Sequence, residues 1–190
     1  LGLMEIIVKT GIAHAISSQL GGLKGDRNAI AETIENNVRR KIIKEHLADP
    51  AFYERMSTLL DEIIAARKAR AIEYEEYLKR IAEIVKSVQA GHGEDEPEPL
   101  KKSPGLRAVY NILQKDIAEQ GKAFSVADGS QESVLGLAVT IDDTVKKVRP
   151  DGWRGVQAKE QVIKAALYGV LQNEDEVERV FLIIKAQTEY

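Results

Sequence analysis

The sequence predicts an all-α fold, and three observations carry that prediction. Ala, Glu, Lys, Leu and Arg dominate the periodic stretches, aromatic residues make up only 5% of the 190 residues, and β-branched runs such as Ile6-Ile7-Val8 stay short, which is the composition of helix and not of sheet. Apolar residues recur every three or four positions over most of the chain. The stretches marked in this way are bounded by helix start and stop residues. At 44% hydrophobic residues the chain can bury a real core and does not belong to the disordered class.

Residues 3–20 carry Ile6, Ile12, Ile16 and Leu20 at near-helical spacing and run into Gly21-Gly22, which predicts one helix. Asp26 or Asn28 caps the next, whose Ile30, Ile34, Val38 and Ile42 recur every four residues as a narrow stripe with Asn37 beside it. Asp49-Pro50 then opens an unbroken pattern that continues to Gln89 and stops at Gly91 and Gly93. As one helix of about 40 residues it would reach ~60 Å, the length of an element built for connection or assembly. Its apolar seam is Met56, Leu60, Ile63, Tyr74, Tyr77, Ile81, Ile84 and Val88. Arg67 and Arg70 occupy the seam positions between Ile63 and Tyr74, with Lys68 between them and Ala65, Ala66, Ala69 and Ala71 around, so a kink, a polar contact or exposure belongs there. Glu75 before Lys79 and Glu76 before Arg80 are i,i+4 pairs of a solvated outer face.

The stretch GHGEDEPEPLKKSP from Gly91 to Pro104 reads as a flexible acidic linker between an N-terminal part, residues 1–90, and a C-terminal bundle, residues 105–190. Ser103-Pro104 starts the next helix, with Leu106, Val109, Tyr110, Leu113 and Ile117 inward and Gly121 as its end, and a loop follows to about Ser130. Val134, Leu137, Ala138, Ile141, Val145 and Val148 mark a helix that Arg149-Pro150 terminates. After the turn Asp151-Gly152-Trp153-Arg154-Gly155 comes a helix over 157–171 with Val162, Ile163, Ala166, Leu167 and Val170 inward. Asn173 with Glu176 forms a capping box for the last helix, which carries Val177, Val180, Phe181 and Ile184. That makes about seven helices, with no repeat of fixed length.

The 27 basic and 30 acidic residues give a net charge of −3 and are interleaved, so no bulk field exists to hold a polyanion. Zero cysteines exclude a disulfide framework and any thiolate metal site and suit a reducing cytoplasm. No apolar run approaches the ~18 residues that span a bilayer, and no signal-peptide pattern opens the chain, so no membrane partner is expected. The start at Leu1, with helical periodicity already running through Ile6, Ile7 and Ile12, reads as a piece of something longer.

No Gly-rich loop followed by Lys and Ser or Thr is present to cradle a nucleotide, and His14, His46 and His92 lack partners at zinc-ligand spacing, so no cofactor is expected in this chain. Glu32 with Glu35 and Glu73 with Glu76 are carboxylate pairs by spacing, but acid–base catalysis needs carboxylates in a cleft with opposed environments, so no such role is expected, and no Ser or Thr sits in a nucleophile elbow. Arg39-Arg40-Lys41 points three ways around its helix and reads as a salt-bridged face. Trp153, the only tryptophan, reads as a plug at a helix junction with Asp151 orienting Arg154, or as an interface anchor.

Three blocks, ETIENNVRRKIIKEH from Glu32 to His46, RMSTLLDEIIAARKARAIEYEEYLKRI from Arg55 to Ile81, and DGWRG from Asp151 to Gly155, resemble in order and spacing the C-terminal helical region of the motor and endonuclease (R) subunit of type I restriction enzymes. The resemblance spans nearly the whole chain and leaves out 91–104 and 121–130. It implies a parent that uses ATP and Mg to translocate DNA and cleave it, but neither the nuclease nor the ATP motifs of that parent have counterparts here, so no catalytic residue carries over. What it implies for this chain is a non-catalytic docking role, with the methyltransferase and specificity subunits as partners and DNA reached through the complex. The exposed seam residues Arg67, Lys68, Arg70, Tyr74 and Tyr77 are the expected contacts. The rival expectation is that Arg67, Lys68 and Arg70 grip duplex phosphates during translocation.

Overall fold

A computed structural model describes residues 1–120 and 130–190, and nine α-helices with no strand stand among them. The expected stop at Gly121 and the loop that follows it to 129 lie outside the described residues. The chain divides into two compact units, residues 1–46 with 52–96, and residues 47–51 with 97–190. The short stretch 47–51, which the sequence places with the first part, thus belongs to the second. There the Gln187 side-chain amide donates to the Ala48 carbonyl at 2.7 Å and that of Asn111 to Asp49 at 3.0 Å.

The first unit holds α1 (Leu3–Thr10), α2 (Ile12–Gln19), α3 (Arg27–Glu45), most of α4 (Pro50–Lys68) and α5 (Tyr74–Ala90). The single helix expected over 3–20 is two, because Gly11 stands at φ 90° and breaks the ladder between α1 and α2. Asp26 caps α3 by accepting from the Ala29 amide at 3.1 Å, and the stripe Ile30, Ile34, Val38, Ile42 is buried. It packs with Phe52, Met56, Leu60 and Ile63 of α4 and Ile81, Val85 and Val88 of α5.

The ~60 Å helix expected over 50–89 does not exist. Residues 69–73 fold the chain back, and the return brings Gly91 to the phenol of Tyr53, so α4 and α5 form an antiparallel hairpin. The turn is a Schellman motif: the Ala71 amide donates to the Ala66 carbonyl, and the Arg70 amide to that of Arg67. Arg70 occupies the left-handed position at φ 54°, where glycine is usual.

The second unit is an antiparallel ring of α6 (Pro104–Gln120), α7 (Gln131–Val148), α8 (Gln157–Leu171) and α9 (Glu174–Ala186), each packed on the next and α9 on α6. Their inward stripes, among them Leu113, Ile141, Ile163, Leu167 and Ile184, share one core. Of the residues expected inward on α8, Val162 is exposed instead. Ser130 and Asn173 cap α7 and α9 through the amides of Ser133 and Glu176. The second half of the capping box is replaced, because the Glu176 carboxylate turns to Arg179 and Asp116. The stretch expected as a linker is structured at its end: Glu98–Leu100 forms a 3-10 turn, Leu100 is buried, and its carbonyl accepts from Arg107 at 3.1 Å.

Candidate functional site

Two clusters hold the residues singled out in the sequence, one in each unit. In the first, Arg67 stands at the end of α4 and meets Glu35 of α3 with a two-pronged contact, Nε to Oε2 at 2.7 Å and Nη2 to Oε1 at 2.8 Å. Tyr77 of α5 donates its hydroxyl to Glu35 Oε2 at 2.7 Å, and the Arg67 guanidinium lies 5.8 Å from its ring centre. Glu35 is 5% exposed and Tyr77 1%. The carboxylate therefore takes three donors from two other helices while shut off from water, the condition under which a buried charge is tolerated. Burial first, and then the bond to Glu35, push the Tyr77 phenol far above its ordinary value, so it stays a donor. The bond to Glu35 likewise raises Arg67.

This corrects the expectation of an exposed seam. Arg67 and Tyr77 are committed to a buried cluster that ties α3, α4 and α5 together, and neither is free to meet a partner. Tyr74 is half-buried, stacked at 6.3 Å on Tyr77 and covered by the Arg27 guanidinium at 4.5 Å from its ring centre. Lys68 and Arg70 alone of the five are exposed. Glu35, the acceptor that organises the cluster, and Arg27 are the participants the sequence did not mark as such. Arg39, read as part of a salt-bridged face, pairs with Asp61.

In the second cluster, Trp153 is 3% exposed and meets Phe181 edge-on with ring centres 5.8 Å apart. Arg154 lies over the indole at 4.5 Å and donates to the carbonyls of Lys185, Gln187 and Tyr190. It is thus held by the backbone at the end of α9 and just beyond it, and not by Asp151 as the sequence suggests. The Asp151 carbonyl accepts from Lys159 at 2.6 Å. Glu160 bonds Lys185 at 2.8 Å and accepts the Gly155 amide at 2.8 Å, and both, Lys185 first, hold its carboxyl below the usual range. Around this corner the sequence missed Tyr190, whose phenol donates to Asp142, and Glu189, which accepts from Ser103 Oγ at 2.7 Å and from the Gly105 amide at 2.6 Å.

The outward face of α8 differs from the rest of this charged surface. Gln157, Ala158, Gln161, Val162, Ala165, Tyr168 and Gly169 are all exposed and none is charged, with Val162 at 47% and Tyr168 at 49%. No group of side chains able to hold a metal ion occurs among the described residues. No helix among them is long and apolar enough to cross a membrane. Compared with protein-family models, with curated proteins and with solved structures, the chain matches none.

Proposed function

We propose that this chain is a helical assembly module without catalytic machinery of its own, docking an ATP-dependent DNA translocase and endonuclease subunit on a methyltransferase–specificity core. The observation that carries the reading is where the three resembling blocks fall in the fold. The first contains Glu35, the second contains Arg67 and Tyr77, and the third contains Trp153 and Arg154, so the blocks supply the side chains that brace each unit from within. Residues of that kind are retained for architecture, which supports a likeness of fold extending through the chain. The uncharged face of α8 is the surface best suited to protein contact, since interface centres are depleted in charge and rich in apolar and aromatic groups.

The rival reading, a grip on duplex phosphates, is weakened by geometry. Arg67 is bound to Glu35, and the remaining Lys68 and Arg70 share that end of the unit with Asp26, Glu32, Glu73 and Glu75. Binding of the chain to a purified type I methyltransferase–specificity core, with and without DNA at low and moderate salt, tests the two. Docking without DNA that tolerates salt, and that Val162→Glu with Tyr168→Glu weakens at least tenfold, is the expected result. Binding only with DNA, lost steeply with salt and abolished by Lys68→Glu with Arg70→Glu, overturns it.

A further inference from the structure

In the second unit the seam between α6 and α9 buries two acids beside one base. Asp116 and Glu176 are 6% and 0% exposed. Arg179 Nε lies 3.1 Å from Asp116 Oδ2 and 3.4 Å from Glu176 Oε1, and its side chain is 41% exposed, so water screens part of its charge. With both acids ionised the cluster carries one negative charge in excess. Glu176 Oε2, moreover, is closed to water and has no hydrogen-bond partner among the described residues. A buried carboxylate oxygen with neither hydration nor a donor is costly. One proton shared by the two carboxyl groups removes both faults: it neutralises the cluster and makes Glu176 a donor toward the Asp116 carboxylate that it meets.

We propose that this shared proton latches the first turn of α9 onto α6, and that its release to solvent lets the turn open. Once the proton is gone, two carboxylates face one guanidinium, and Glu176 regains donors only by reaching water. The turn has little else to hold it. Of Glu174 to Glu178 only Glu176 and Val177 are buried, whereas Val180, Phe181, Ile183 and Ile184 anchor the rest of the helix in the core. Other charges near the seam are turned elsewhere or exposed. On α8, Lys164 meets Glu178 and the Phe181 ring, and Glu160 meets Lys185. On α7, Asp142 is engaged by Lys146 and Tyr190. Lys115 and Glu119 flank Asp116 on α6 at less buried positions, and Glu174 and Asp175 of α9 are exposed. His14, His46 and His92, the side chains that ordinarily titrate near neutrality, all belong to the first unit. The latch stands whether or not the chain docks on a restriction-enzyme core.

Amide hydrogen exchange of the full chain from pH 6 to 9, expressed as protection relative to the intrinsic rate at each pH, tests the latch. The closed pair keeps its proton up to about pH 8, and the open turn, like an ordinary Glu, only to about pH 4. Protection at residues 175–179 should therefore fall about tenfold per pH unit up to about pH 8 and level off above it. Glu176→Gln, which cannot lose the proton, should make it independent of pH. Asp116→Asn, which leaves Arg179 to a single carboxylate, should shrink the total fall between pH 6 and 8 at least tenfold, and it covers the case in which Glu176→Gln disturbs the fold. Glu178→Gln, on the exposed side of the same turn, should leave the fall unchanged. Wild-type protection that is flat with pH, or a fall that persists undiminished in either Glu176→Gln or Asp116→Asn, overturns the proposal. So does exchange at 175–179 that is no faster than at the α7 core residue Ile141, since the proton would then leave only on global unfolding.

Discussion

Replacing Arg67 with Met removes a charge and keeps most of the packing of its stem, which makes it a direct probe of the Glu35 cluster. The side chains of Arg67 and Glu35 are 11% and 6% exposed, so the pair is screened little by water or salt. Without the guanidinium the carboxylate keeps one neutral donor, the Tyr77 hydroxyl, in a site closed to solvent. Removing one partner of a buried pair costs about 3–5 kcal/mol. Glu35→Gln alone preserves an acceptor for Tyr77 but leaves a guanidinium facing an amide, at about 1.5–3 kcal/mol for a charged hydrogen bond. In the double variant neither charge is stranded, so its loss should fall short of the summed losses by about 2 kcal/mol or more. Urea unfolding followed by far-ultraviolet circular dichroism on the four proteins gives the cycle, with a shared slope as the condition for comparing midpoints. Losses that add to within about 0.5 kcal/mol would refute the cluster as a coupled unit.

Other perturbations test separate parts of the structure. Arg70→Gly should raise stability by about 0.5–1 kcal/mol, because the residue is exposed at φ 54° in a Schellman turn, and a lower Tm would count against that geometry. Gly105→Ala should cost about 1–3 kcal/mol in a denaturant titration, since its new Cβ would lie 3.0 Å from the Tyr190 ring and 3.1 Å from the Glu189 carboxyl carbon. Trp153→Ala should cost about 3–5 kcal/mol by emptying a site under Phe181, and a near-neutral result would remove Trp153 from the core. Burial, then the hydrogen bond and charge of Asp116, push Glu176 up to about 8, against a smaller pull from Arg179. The folded value lies above the unfolded one of about 4.3, so the stability its protonated form contributes is present at acid pH and lost as pH rises through about 8. Tm should therefore fall between about pH 5 and 8, and Glu176→Gln should flatten that slope.

Local signals reached as far as each helix and stopped where tertiary contacts decide. The stripe from Ile30 to Ile42, the Asp26 and Asn173 caps and the stop at Pro150 are visible because each acts within a turn or two of itself. The reversal at 69–73 is not, because Ala65, Ala66, Ala69 and Ala71 are the strongest helix formers and no Gly or Pro marks the turn. Its only trace is the failure of the seam at Arg67 and Arg70, and the cause, Glu35, lies 32 residues from Arg67. A lone Gly11 inside an apolar pattern is tolerated in many helices, so it too carried little warning. At the second cluster Trp153 was legible as a plug, whereas Glu189 reaches Gly105 across 84 residues and has no counterpart in periodicity.

The fate of their donors decides what the two clusters can do. In the first, the prominent cation and the buried phenol both end on one carboxylate, and the oxygens of Glu35 are met from two sides. A partner arriving there would find Lys68 and Arg70 among acids and would gain only the small energy of exposed pairs. In the second, Arg154 is fully engaged by backbone carbonyls, and that engagement places the 151–154 turn against the segment after α9. Saturation makes the first cluster a brace. Saturation makes the second a brace as well, with Arg154 holding its turn against the last residues of the chain.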